Sequence, residues 1–74
     1  MSSKKTTLKK IGTVVKQHRK QLGLTQLEFG ERVGIHRTYV GAIERGERNL
    51  TILKICDLAQ ALGTDIKELV SKLD

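Results

Sequence analysis

The sequence predicts an all-α fold, a compact bundle of five short helices. Apolar residues recur at three- and four-residue spacing through nearly the whole chain, the period of a helix that hides one face. None of the 74 residues is proline, so no helix is obliged to break. Four of the seven glycines (Gly23, Gly34, Gly46 and Gly63) follow the last periodic residue of a segment. Glycine enters the left-handed conformation that closes a helix without steric penalty.

The elements follow in order. Residues 1–7 are rich in Ser, Lys and Thr, carry no apolar pattern before Leu8 and read as a mobile basic arm. The first helix places Leu8, Ile11, Val15, His18 and Leu22 on one face and ends at Gly23. Gly12 weakens its first turns by about 1 kcal/mol relative to alanine. Thr25 and Glu28 have capping-box spacing, so a second helix starts near Gln26, turns Phe29 and Val33 inward and stops at Gly34. A third begins near His36, carries Tyr39, Val40 and Ile43 along one side and closes at Gly46. After a loop, Thr51 caps a fourth helix whose apolar face is Ile52, Ile55, Leu58, Ala59 and Leu62. Gly63 ends it, and Thr64 or Asp65 starts a fifth with Ile66, Leu69, Val70 and Leu73 inward. Residues 8–74 thus form one domain, with no repeat or linker. Gly30 lies inside a predicted helix, where the absent side chain lets the second and third helices cross closely.

Composition narrows the function. A chain this small buries only about 60 % of the surface its unfolded form exposes, so pairing with a second copy would reinforce it. Cys56 is the only cysteine, which leaves no intrachain disulfide. His18 and His36 have no neighbouring ligands at a metal spacing, so neither a metal nor a cofactor is expected. No acid–base pair, glycine-rich phosphate loop or metal cluster suggests an enzyme. No run approaches the roughly 20 apolar residues that span a bilayer, and no signal-peptide core is present, so the expected location is the cytoplasm.

The net charge of +6 is unevenly placed. Residues 1–27 hold Lys4, Lys5, Lys9, Lys10, Lys16, Arg19 and Lys20 and no acid, whereas residues 28–74 hold seven bases and eight acids. The positive end favours a polyanion, nucleic acid before an anionic membrane; a solvated lysine face fits the charge equally well. The first helix needs its apolar face for the core, which argues against membrane binding.

Thr25 to Gly46 is where these observations converge. A short helix, a tight turn at Gly34 and a second short helix on a basic domain form the usual device for reading the DNA major groove. Arg37, in the first turn of the presented helix, suits paired hydrogen bonds to guanine O6 and N7, worth about 1–3 kcal/mol of discrimination. His36 lies on the same outward face. Thr38 has a methyl for thymine and a hydroxyl for phosphate, or is simply a polar residue early in a helix. Gly41 is either tolerated in its helix or lets DNA approach. Gln26 stands at the amino end of the second helix, where free amides and the helix dipole favour a phosphate. Arg45, Arg48 and Asn49 follow the reading helix and suit phosphates, which position without reading sequence. Lys4, Lys5, Lys9 and Lys10 add non-specific attraction.

Thr25-Gln26, Phe29-Gly30, Val33-Gly34-Ile35, Val40, Ile43-Glu44 and Gly46 resemble the helix-turn-helix of the lambda-repressor and Cro-like DNA-binding proteins. The resemblance runs from about Leu8 to Leu73. His36-Arg37-Thr38-Tyr39-Val40, Ile43-Glu44-Arg45-Gly46 and Arg48-Asn49 look more narrowly like the controller proteins of restriction-modification systems. That resemblance implies a small homodimeric transcriptional regulator that binds operators upstream of its own and the endonuclease gene, activating at low occupancy and repressing at high. When activating, RNA polymerase becomes a partner. It also implies a buried ion pair between Arg19 and Glu44. By the same resemblance Tyr39 faces DNA near the operator centre, though its ring, beside Val40 and Ile43, could equally cover the helix packing. His36 and Gly41 stand where the family commonly has serine, and both departures fall on the DNA side.

Residues 51–74 are near neutral and rich in Leu and Ile, which predicts a two-fold dimer through the fourth and fifth helices with Ile66, Leu69, Val70 and Leu73, and Cys56 packed nearby. The expected function is therefore a homodimer on a near-palindromic double-stranded operator. Alternatives that share the DNA reading are a phage-type repressor and the antitoxin of a toxin–antitoxin pair. An adaptor that kept the fold and lost DNA binding would be expected to have an acid or a bulky apolar residue at Arg37 and Thr38.

Overall fold

The computed structural model describes residues 4–71 and consists of five helices with no strand among those residues. They are α1 (Lys4–Gln21), α2 (Gln26–Val33), α3 (Arg37–Glu44), α4 (Ile52–Leu62) and α5 (Ile66–Ser71). Local chemistry sets most of the ends. Thr25 Oγ1 accepts from the Glu28 amide at 3.1 Å, and the Thr25 amide donates to Glu28 Oε1 at 2.9 Å, so the capping box at the start of α2 is closed. Hydrogen bonds to the Glu28 carboxyl from the Thr25 amide and then the Thr25 side chain, with help from Arg32, hold that carboxyl below its ordinary value. Thr51 Oγ1 accepts from the Lys54 amide and caps α4; Asp65 Oδ1 accepts from the Glu68 amide and settles the start of α5. Gly34, at φ 84°, ends α2 while its amide and that of Ile35 both return to the Gly30 carbonyl, which makes the turn tight.

One core joins all five helices: Ile11, Val14 and Val15 of α1, Phe29 of α2, Val40 and Ile43 of α3, Ile55, Leu58, Ala59 and Leu62 of α4, and Leu69 of α5. Full burial of a side chain such as Phe29 is worth about 1.5–3 kcal/mol. α1 packs on α3, α4 and α5, while α2 packs on α3 and α4. α3 is therefore wedged between α1 and α2 and shows solvent only one side.

Two glycines set those crossings. A Cβ on Gly30 would lie 2.5 Å from the Ile35 carbonyl oxygen, which confirms the expected close approach of α2 and α3. A Cβ on Gly12 would lie 2.3 Å from the Ile43 carbonyl oxygen and 2.6 Å from that of Glu44. Gly12 is thus not a mere weakness of α1; it lets α1 lie against the carboxyl end of α3.

Several expectations need correction. α1 begins at Lys4, within the expected mobile arm; a polar turn without proline extends a helix without carrying an apolar pattern, and residues 1–3 lie outside the described part. Val14 joins the core and Leu22 is half exposed, because the buried stripe of α1 is centred one residue from the predicted one. Ile52 is 63 % exposed, since α4 turns Ile55 and Ala59 rather than its first residue to the core. Cys56 is exposed for the same reason. Leu69 is fully buried within its own chain and is a core residue, not a free dimer contact. Ile66 packs partly against the same core, Val70 is 37 % exposed, and Leu73 lies outside the described residues.

Candidate nucleic-acid interface

The start of α3 is held by an unusual cap. His36 is extended at φ −69° and ψ 148°, and its Nδ1 accepts the Thr38 amide at 3.1 Å. His36, Arg37 and Thr38 are all exposed. One and two turns on, Ala42 and Arg45 continue the same stripe, half exposed and exposed. Thr38, Ala42 and Arg45 have the i, i+4, i+7 spacing of a single helix ridge. Ala42 was not among the expected contacts, although that spacing alone identifies it; its methyl suits a thymine methyl.

Gly41 lies beside this ridge but is buried, not open to the groove as one expectation had it. The tip of Arg45 and the amide of Gln26 cover it: a Cβ there would meet Arg45 Nη1 at 3.1 Å and the Gln26 amide atoms at 3.6 Å. Tyr39 is half buried against the core, and the Arg48 guanidinium sits 5.1 Å above its ring, a cation–π arrangement that fixes the loop after α3. Arg48 and Asn49 are exposed beside it. Arg45 Nε lies 3.0 Å from Glu47 Oε1 in a solvent-exposed pair.

Beneath the ridge is the ion pair that the resemblance implied. Arg19 Nε donates to Glu44 Oε2 at 2.6 Å and Nη2 to Oε1 at 3.1 Å, with side-chain exposures of 8 % and 4 %. Arg19 Nη1 also donates to the Leu24 carbonyl at 2.7 Å, which ties the α1–α2 loop to the pair. Gln26 Nε2 donates to Glu44 Oε1 at 3.0 Å. The first residue of α2 is therefore anchored to the last residue of α3 through the buried carboxylate. From the sequence Gln26 reads as a phosphate contact or a helix-end residue, and the link to Glu44 is not foreseen.

The basic end reaches the same side. Gly46, at φ 74°, packs directly against the α1 backbone, where a Cβ would meet the Lys9 Cα and N at 2.8 Å. α1 thus runs beside the loop that bears Arg45 and Arg48, and the exposed Lys9 lies next to it. Among the described residues no group of His, Cys, Asp and Glu could hold a metal, and no helix is long and apolar enough to cross a membrane.

Comparison with known proteins gives a consistent picture. A helix-turn-helix family model matches residues 15–69. The control protein C.SmaI of Serratia marcescens is 40 % identical over 58 residues, which span 78 % of this chain and 69 % of that protein. The crystal structure of the restriction-modification controller protein C.AhdI from Aeromonas hydrophila superposes with a TM-score of 0.80 at 39 % identity, covering 84 % of this chain and 94 % of that one. The controller protein C.Esp1396I, solved as a tetramer with its natural 35 base-pair operator, matches with a TM-score of 0.78 at 30 % identity over 90 % of this chain and 93 % of that one.

Proposed function

The chain belongs to the helix-turn-helix family of DNA-binding transcriptional regulators, non-enzymatic proteins, and on that premise we propose that it is a restriction-modification controller. In this reading it binds a near-palindromic operator as a homodimer, in the cytoplasm. It activates its own and the endonuclease gene at low occupancy, with RNA polymerase as partner, and represses them at high occupancy. The observation that carries the proposal is the exposed ridge of α3. It begins with Arg37 and Thr38, continues through Ala42 and Arg45, and is backed by a buried ion pair. Arg37 and Thr38 read base edges. Gln26, Arg45, Arg48 and Asn49 hold phosphates, and the amino end of α2 adds its free amides. Tyr39, braced by Arg48, reads the shape of flexible steps near the operator centre.

The described residues that best support a dimer surface are Ile52 and Leu53 of α4, 63 % and 74 % exposed, with Val70 of α5 at the edge. Two such copies would place their reading helices about 34–36 Å apart, one DNA turn. Footprinting on the DNA upstream of the protein's own gene tests the proposal. A protected pair of half-sites is expected, and equal protection of all sequences would refute it. Replacing Leu53 by Glu should shift the protein towards monomer in sedimentation at micromolar concentration while its far-ultraviolet circular dichroism stays the same. An unchanged sedimentation profile would place the dimer surface elsewhere.

A further inference from the structure

The cap on α3 does more than end a helix. The Thr38 amide hydrogen points at His36 Nδ1, 3.1 Å away, so Nδ1 must offer its lone pair and the neutral ring carries its proton on Nε2. Thr38 Oγ1 lies 2.8 Å from the same Nδ1. Two lone pairs facing one another at that distance repel, so the hydroxyl hydrogen lies between them and Oγ1 donates to Nδ1, whose single lone pair is shared by the Thr38 hydroxyl and amide hydrogens in a three-centre bond. The donor of the Thr38 hydroxyl is thereby used inside the protein. What Thr38 keeps for a ligand is two acceptor lone pairs and a methyl.

We infer that His36 is a positioning residue that turns Thr38 into an acceptor-only reader, selecting a base that presents an amino group in the major groove, adenine or cytosine, over guanine or thymine. The inference rests on the DNA reading above. In the major groove adenine N6 and cytosine N4 donate, whereas guanine O6 and N7 and thymine O4 accept. A free hydroxyl rotates to suit either kind. Held by His36, the Thr38 oxygen is matched to the amino bases and opposed to the keto bases. Its neighbour Arg37 is donor-only, so adjacent side chains present opposite polarity to adjacent bases. A serine in place of His36 would cap the helix equally well but has a rotating hydroxyl of its own and would not hold the Thr38 proton in one direction.

The test has two arms. The first uses the free full-length chain, labelled with nitrogen-15 in histidine, at about pH 8, above the ordinary histidine range. A long-range proton–nitrogen correlation spectrum should show His36 with its proton on Nε2. His18 is the internal contrast, since its Nδ1 faces the Val14 carbonyl at 3.0 Å and must carry the proton there. His36→Asn assigns the signals. A His36 ring protonated on Nδ1, or an even mixture, overturns the inference without touching the DNA reading.

The second arm selects duplexes from a randomised DNA library with the wild-type chain and three variants. Wild type should prefer adenine or cytosine over guanine or thymine by about three- to tenfold at one position of each half-site, the range of a single hydrogen bond. Thr38→Val should abolish that preference, and His36→Ala should reduce it to below about twofold on the same basis. His36→Asn supplies an acceptor to both the Thr38 amide and hydroxyl and should restore it. If His36→Ala weakens every duplex by one factor and leaves the preference intact, His36 is only a cap and the inference fails. If wild type enriches no sequence although the spectrum shows the Nε2 proton, the DNA reading fails and the reading role of Thr38 falls with it.

Discussion

Gly12 and Gly41 both lie inside helices, and helix propensity alone predicts that alanine at either would stabilise the protein by about 1 kcal/mol. The surroundings predict opposite outcomes. At Gly12 the new methyl would sit 2.3 Å from one backbone oxygen and 2.6 Å from the next, so α1 and α3 must separate by about 1 Å to reach ordinary contact. Both oxygens belong to the carboxyl end of α3, which is also held from below by the Arg19–Glu44 pair. Overpacking of this kind costs about 1–3 kcal/mol, occasionally more, so Gly12→Ala should be net destabilising by about 1–2 kcal/mol. For a domain of this size that is a fall of about 5–15 °C in Tm. At Gly41 the nearest atoms are the ends of Arg45 and Gln26, at 3.1 and 3.6 Å, and both are flexible. Gly41→Ala should therefore retain most of the propensity gain and raise Tm by about 2–6 °C. Thermal unfolding followed by circular dichroism, at one fixed protein concentration, measures both. A Gly12→Ala protein as stable as wild type would refute the close crossing of α1 and α3. A Gly41→Ala protein that melts lower would refute the view that Gly41 is covered only by movable side chains.

Removing one partner of the buried pair, by Arg19→Met or Glu44→Leu, should cost about 3–5 kcal/mol in urea unfolding, while the double replacement should lie closer to wild type. A double variant as unstable as the sum of the singles would contradict a compensated pair. The Glu28 carboxyl titrates below its ordinary value because the native capping box favours the charged form. Its contribution to stability is therefore fully present above about pH 4.5 and is lost as pH falls through the lowered value. Glu28→Gln should flatten the acid side of the stability–pH curve in that window; an unchanged slope would dissociate the cap from acid unfolding. Arg45→Ala should lower affinity about evenly across DNA sequences and reduce the salt dependence of binding by about one counterion, as measured by anisotropy titration at several salt concentrations. A change in sequence preference instead would make Arg45 a base reader.

The parts of this molecule that were legible in the sequence are those determined locally. The Thr25–Glu28 box closes within one turn, and Gly34 and Gly63 close α2 and α4 just after the last apolar residue of each. The Arg19–Glu44 pair is not local; the family resemblance supplied it. What stayed hidden depends on partners distant in sequence. Gly12 reads as a flaw in α1 until Ile43 and Glu44 are seen against it. Leu69 and Ile52 have the same apolar character, and only the seating of α4 and α5 on α1 decides which is buried. The helical turn from Lys4 to Thr7 is made of lysine and threonine alone, so it leaves no apolar signature to read. His36 stands where the family commonly has serine, and its imidazole nitrogen accepts from the second amide of α3 as a cap should.

The buried pair also explains why the interface is built around Gln26. A buried ion pair is weak evidence for stability, since apolar residues of similar shape often serve as well. Apolar substitutes would not hold Gln26. The Glu44 carboxylate accepts from α1 through Arg19 and from α2 through Gln26, and it is itself the last residue of α3. Three helices thus meet at one charged group directly behind the proposed DNA contacts. The Gln26 amide gives one hydrogen to Glu44 and has its second hydrogen left for a phosphate, already oriented before DNA arrives. An Arg19→Met, Glu44→Leu double variant that folds well should on this argument still bind operator DNA less tightly than wild type, because Gln26 would have to be ordered on binding. Equal affinity in that variant would reduce the pair to a packing element.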